Sequence, residues 1–358
     1  NPSARIIIMK LETGSEEKFL EFIRNLGESN VALVSHNDLD GMTCPKIVGE
    51  VVNPKEIFFV DYGDLNEKLV EKLKEKKIEK IIFTDLYLKD KNFLKSLEEF
   101  AEILIIDHHR SEDWNSEKTV FIKGEDGYSA GYLCYYLFSK IQDLDKWDWL
   151  VACSCISDYC HVKPKNWLSQ VMKKYGDDLE NWEIFVKKTG KFWDLQYTLS
   201  LALIYFKKSL RKVYDSIQES FGEIGKLGEH AGEVQKEIDG FISKFKSERE
   251  EFEEGYLFEF ESKFPVKSIV ASILSGKEFN KTLVILEIRN GLYTVSVRRQ
   301  DKRVDCDEFL KSLLNGLENA SGGGHIPAAG GHFMKKDLPE FRKRLGLKKK
   351  RARNLKSK

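Results

Sequence analysis

No apolar run in this sequence approaches the roughly 18 residues that a membrane-spanning helix requires; the longest, such as IVASIL, fall far short. The N-terminal stretch has no basic, apolar, small-residue order of the kind that marks a signal peptide. The six cysteines form no framework spacing and include no Cys-x-x-Cys pair, which argues against a disulfide scaffold and against a zinc finger built from Cys153, Cys155, Cys160 and His161. An excess of one charge is missing too, because 58 Lys+Arg balance 58 Asp+Glu. These absences lead to the expectation of a soluble protein of a reducing cytoplasm, with buried thiols beside Asp158.

The even balance hides an uneven distribution. Ten Lys/Arg and no acid lie between Arg342 and Lys358, so the remaining chain carries 48 basic against 58 acidic residues. Such a tail is either a solvated terminus or an arm that binds phosphate or a partner. At 358 residues the chain is long enough for two domains.

Short β-rich runs alternate with helical ones in the first 160 residues. NVALVSH (30–36), EIFFVDY (56–62), KIIFTDL (80–86) and EILIIDHH (102–109) are apolar on both faces, as parallel strands between helices must be. LNEKLVEKLKEK and KNFLKSLEEFAE lie between them with apolar residues at every third and fourth position. The order predicts an α/β fold with a doubly wound, mainly parallel sheet over 1–165. A helical connector is expected over 166–255, followed by a smaller α+β domain over 256–345 with a hairpin at Asn290-Gly291 and a basic tail over 346–358.

Three of the strands end in ligand-grade residues: His36, Asp38 and Asp40; Asp85; and Asp107, His108 and His109. Open α/β sheets place their sites at these carboxyl ends. Gly41 gives the backbone room to turn into the next helix, with Pro45 expected in its first turn. A fourth acid, Asp158, follows a helical run. Carboxylates mixed with imidazoles suit Mn²⁺ or a similar divalent ion, and the set can supply two ions with one bridging carboxylate. Paired divalent ions serve phosphoryl chemistry. In the second domain, Gly322 to Gly324 would let backbone N–H groups approach an anion, with His325 beside them as a donor. The fork of Arg298 suits a bidentate phosphate contact. Trp147, Trp149, Trp167, Trp182 and Trp193 either stack bases or pack among helices.

SHNDLDG, FTDL, IDHH and ISDY resemble, in order, the four motifs of the DHH phosphoesterase family. SGGGHIPAAGG is similar to the glycine-rich signature of the DHH-associated domain, and the long helical segment between them resembles RecJ-like and archaeal nuclease members. The resemblance implies that Asp38 and His36 hold one Mn²⁺, that Asp85 bridges, and that Asp40, His108 and Asp158 hold a second. Mg²⁺ or Co²⁺ would be substitutes. His36 lies two residues before Asp38, where compact members carry it four before, so it is either a ligand or a group behind one. Asp107 would orient the histidine pair, His109 would face the phosphate, and Ser296, Arg298 and the Gly322–His325 run would bind substrate.

The activity so implied is a phosphodiesterase with its cleft between two domains, removing nucleotides from an end of single-stranded DNA or RNA in repair or replication. The narrower archaeal likeness implies 3′ to 5′ polarity and a helicase or replication partner, in a monomer or homodimer. Two alternatives stand beside it: a member acting on very short oligonucleotides or cyclic dinucleotides, and an inactive scaffold of a replication or repair complex.

Overall fold

Alternation within the apolar runs sets how the first sheet is buried. The computed structural model describes residues 9–109, 114, 116–177, 181–289 and 291–347, in two units, 1–231 and 232–358. The first holds β1 (Leu11–Thr13), β2 (Val31–His36), β3 (Glu56–Val60), β4 (Lys80–Thr84), β5 (Glu102–Asp107) and β6 (Thr119–Gly124). Leu33, Ile82, Leu104 and Ile106 face one core. Their neighbours Ala32, Val34, Ile81, Phe83, Ile103 and Ile105 face another on the opposite side. A strand with side chains of period two can be apolar throughout only if both faces are covered.

The strand order is β1-β6-β5-β4-β2-β3. β2 through β6 run parallel, and β1 closes one edge antiparallel to β6. The chain leaves β2 for β3 on one side and returns to β4 on the other, so β2 and β4 flank the topological switch point. Neither β1 nor β6 is among the strands read from the sequence; β1 is only three residues long, too short for a periodic signal. Helices from Lys165–Lys174 to Leu210–Ser216 add Trp167, Leu168, Val171, Phe192, Leu199 and Val213 to the core that contains Leu33. Trp147, Trp149 and Trp167 are buried there, so they pack rather than stack bases. The side chain of Trp182 is not among those described. Among the described residues no helix is long and apolar enough to cross a membrane.

Two local expectations do not hold. The helix that carries Pro45 runs Leu39–Val48 with Asp38 as its N-cap, which places the proline beyond the first turn. The carbonyl of Gly41, deprived of the N–H that residue 45 would have donated, accepts instead from the Ser35 hydroxyl at 2.5 Å. The connector, expected to be helical through residue 255, has its last helix over Leu227–Glu248 and then gives way to a strand. The Glu-rich EREEFEEG has no periodicity that separates a helix end from a turn.

The second unit is a mixed sheet of β7 (Glu250–Phe252), β8 (Gly255–Glu261), β9 (Thr282–Arg289), β10 (Leu292–Arg298), β11 (Ser321–His325) and β12 (Ala328–Met334). Its order is β11-β12-β10-β9-β8-β7. Only β8 and β9 pair in parallel. Val295, Val297, Ala329 and Phe333 pack against Leu310, Leu313 and Leu314 of the helix Cys306–Leu314. β9 and β10 form the expected hairpin, with Gly291 at φ +77°; Asn290 and the tail from residue 348 lie outside the described residues.

Candidate metal centre and phosphate surface

The end of β2 meets the helix Leu39–Val48 at a spacing that only glycine permits. A Cβ on Gly41 would stand 2.3 Å from the carbonyl oxygen of His36. Asp38 caps that helix by accepting the Gly41 N–H at 2.9 Å, so the cap also turns a carboxylate toward the strand ends. At the end of β4, Asp85 adopts φ +57°, a left-handed conformation that costs free energy for most residues and is least unfavourable for Asp and Asn. The end of β5 supplies Asp107, His108 and His109. Asp158 ends the helix Asp148–Ser157 as its C-cap.

These residues converge. His36 Nδ1 lies 2.8 Å from Asp38 and 3.6 Å from Asp85. His108 Nε2 lies 3.4 Å from Asp85, 3.5 Å from Asp158 and 3.9 Å from Asp40. His109 Nδ1 contacts Asp107 at 2.7 Å. Three overlapping groups result, His36–Asp38–Asp85, Asp85–Asp107–His108–His109 and His108–Asp158–Cys160, with candidate ligand atoms within 4.8 Å of one another in each. Asp85 and His108 each belong to two of them.

The electrostatics describe a site rich in negative charge. Burial, reinforced by Asp40, raises the Asp85 carboxyl to about 7, and burial with Asp40 raises Asp158 to about 6. Burial alone would lower the imidazoles, but Asp38 and Asp85 outweigh it and lift His36 to about 10. For His108, Asp85, Cys160 and Asp40 likewise outweigh burial and lift it to about 12. His36 Nδ1, His108 Nε2 and Asp107 Oδ2 are buried without a well-directed hydrogen-bond partner among the described residues. Buried polar atoms are normally satisfied. Orphaned imidazole nitrogens facing several carboxylates fit a divalent cation.

Asp40 behaves differently from its neighbours. Its carboxylate accepts from the Ala130 and Gly131 N–H groups at 2.7 and 2.8 Å and from the Ser154 hydroxyl at 2.7 Å. It therefore pins the start of the helix Ala130–Phe138 as well as facing His108. Asp40→Ala would leave these buried donors unpaired, at a cost on the order of 3 kcal/mol after relief of carboxylate repulsion. Metal-free protein carrying it should melt roughly 6–12 °C lower, as read by calorimetry in EDTA. Cys160, read from the sequence only as a buried thiol beside Asp158, stands within the candidate ligand groups. Its thiol donates to Asp158 at 3.4 Å, and the signal was present in the Asp-x-Cys spacing. Cys153 and Cys155 are buried on the preceding helix, and His161 stacks on Phe185 at 3.6 Å.

In the second unit, cross-strand register settles which of the expected residues share a face. Arg298, Ala328 and His325 are aligned across β10, β12 and β11, as are Ser296, Gly330 and Gly323. The run SGGGH is thus an edge strand rather than a loop. Gly322 and Gly331 are demanded by packing, since a Cβ on either would lie 2.8 or 3.1 Å from Leu314. Gly323 and Gly330 are not: their nearest neighbours would be Asp307 at 3.9 Å and Val295 at 3.8 Å. Arg298 is anchored through one nitrogen on the Val297 and Ala329 carbonyls. Its neighbour Arg299 is committed to Asp301 and Thr282. Ser296, expected to bind substrate, shares the face of Arg298 by register but is covered there, at 1% exposure.

Residues 257–348 match the DHHA1 domain model. A search of curated protein sequences gave no match. Among solved structures, RecJ of Thermus thermophilus in complex with Mn²⁺ superposes with a TM-score of 0.68 at 16% identity, covering 96% of this chain and 55% of that one. The exonuclease RecJ bound to manganese gives 0.67 at 15%, covering 95% and 94%. CDC45 from Entamoeba histolytica gives 0.63 at 9%, covering 92% and 98%. The chain spans about half the length of the Thermus protein. At these identities the likeness establishes the fold: a parallel-sheet unit followed by a mixed-sheet unit. The DHHA1 match covers residues 257–348, and over the rest of the chain the likeness to these structures is one of fold.

Proposed function

We propose that this chain is a divalent-metal-dependent phosphodiesterase that hydrolyses single-stranded nucleic acid from an end. The observation that carries the reading is the convergence of acids and unsatisfied imidazoles from three parallel strand ends beside the β2/β4 switch point. His36, Asp38 and Asp85 would hold one ion; His108 and Asp158, with Asp40 and Cys160 adjacent, would hold the other, and Asp85 would be shared. Bound divalent ions supply positive charge to a phosphoryl group and make water more acidic. The manganese in both RecJ structures supports Mn²⁺ as the metal.

The side chains around the acids have separable tasks. Asp107 contacts His109 Nδ1, and its hydrogen bond, outweighing burial, raises the His109 pKa. In its protonated form His109 would offer Nε2–H to a phosphate oxygen. Arg298, His325 and the open backbone at Gly323 and Gly330 offer a second set of phosphate contacts of the same character.

The fold alone does not choose the substrate, because it is shared by a nuclease and by CDC45. Incubation with Mn²⁺ and an end-labelled long single strand, a labelled dinucleotide, a duplex and a cyclic dinucleotide separates the alternatives. Progressive shortening of the long strand, absent with EDTA and absent on duplex, is the expected result, and the end from which label is lost gives the polarity, for which 3′ to 5′ is proposed. Cleavage confined to the dinucleotide or cyclic dinucleotide would replace this reading with a small-substrate enzyme. Failure to cleave any would favour a scaffold that works through helicase or replication partners.

A further inference from the structure

The first unit carries an aromatic cluster at the edge of its core: Phe185 and Trp193 pack against that core, but the outermost ring, Tyr159, is used neither by the core nor by the chemistry above. Tyr159 follows Asp158 directly, and its backbone is held at φ +56°. A left-handed conformation is unfavourable for a bulky aromatic residue, yet here it leaves the residue 59% exposed. The ring centroid stands 5.5 Å from that of Phe185. Phe185 is in turn stacked on His161 at 3.6 Å and 22° and meets the edge of Trp193 at 6.2 Å. Trp147, Trp149 and Trp167 are almost wholly buried, which is what packing does with large rings; this cluster instead keeps its outer member in solvent.

The surroundings match a polyanion with flat, apolar bases. Lys165 and Lys188 are exposed, and Lys188 Nζ lies 6.0 Å from the Trp193 ring. Neither forms an ion pair among the described residues. Continuity with the candidate metal centre is direct, since Asp158 and Tyr159 are adjacent and Cys160 bonds back to Asp158. We propose that Tyr159, backed by the Phe185–His161 stack, is a base-stacking step that takes an unpaired base of a strand whose phosphate lies at the metal centre. This rests on the nucleic-acid phosphodiesterase reading. A base inside a duplex already has both faces stacked, so the step selects single strands, and it is indifferent to base identity because every base offers a π face.

The test uses the full chain with Mn²⁺ and strands carrying cleavage-resistant phosphorothioate linkages, so that binding is read without turnover. Fluorescence anisotropy compares a labelled oligothymidine with a strand of equal length made of abasic sites, which keeps the phosphates and removes the bases. Tyr159→Ala should weaken oligothymidine binding about 5- to 100-fold and leave abasic binding unchanged, while Tyr159→Phe should stay within about twofold of wild type for both. A matched thermal melt of each variant separates lost stacking from lost fold. Equal affinity of wild type and Tyr159→Ala for oligothymidine, or equal losses on both strands, would overturn the stacking step alone. If the wild-type chain binds neither strand, the nucleic-acid reading fails with it.

Discussion

Asp85→Asn should lower kcat/KM by more than about 1,000-fold, equivalent to ~4 kcal/mol of transition-state stabilisation, while leaving the fold intact. The carboxylate is shared by two of the candidate ligand groups, so its loss affects both at once. Asparagine is the informative replacement because it tolerates the left-handed backbone at φ +57°, and the backbone bond from Asp85 N–H to the Ile106 carbonyl at 3.1 Å survives. Stability should move the opposite way from activity in metal-free protein. The Asp85 carboxyl, raised by burial to about 7, titrates lower when unfolded, so the folded state bears a cost that grows as pH rises from about 4 to 7 and is full above that. The amide removes this cost. In EDTA the variant should therefore melt at or above wild type near neutrality, with the gain vanishing toward pH 4. With Mn²⁺ the order should reverse, because metal stabilises whichever protein binds it. A wild-type rate in the variant, or an equal Mn²⁺-induced rise in Tm for both proteins, would remove Asp85 from the metal centre.

The strand ends were legible in the sequence for a simple physical reason: a run apolar on both faces must be central, and a charged cluster at its end has nowhere to go but the sheet's rim. His36, Asp38, Asp85 and His108 could therefore be grouped although β2 and β5 are far apart in the chain, whereas Asp158, which follows a helix, joined them only through the family resemblance. What could not be read was how each acid is employed. Asp40 differs from Asp38 by two positions, yet it is tied to Ala130, Gly131 and Ser154, contacts that depend on where a distant helix begins. The left-handed turn at Asp85 and the exposure of Tyr159 are likewise outcomes of tertiary packing, with no local pattern to announce them. The tryptophans show the converse: their type suits base stacking, but three of the five go into the core, where apolar area is worth more.

The glycines of the second unit should divide sharply when substituted, although the sequence presents them as one motif. At Gly324 a Cβ would lie 2.4 Å from the Ala328 carbonyl oxygen and 2.5 Å from the Ala329 Cα, a clash with backbone on the paired strand that no rotamer relieves. Gly324→Ala should cost on the order of 3 kcal/mol or more, detected as an earlier melting step or as protease sensitivity of the DHHA1 region. Gly331→Ala, with backbone oxygen of Ser321 at 2.6 Å, should behave alike. At Gly323 and Gly330 a methyl group meets only ordinary contact distances, so alanine there should leave melting nearly unchanged. A larger side chain at Gly330 would instead stand over the face that carries Arg298 and His325, and Gly330→Val should raise KM for a single strand about 10- to 100-fold with the fold retained, the loss expected when charge-assisted phosphate contacts are blocked. Unchanged KM in Gly330→Val together with unfolding in Gly324→Ala would make the whole motif a packing device. The split between the two pairs is the result that would give its open half to phosphate.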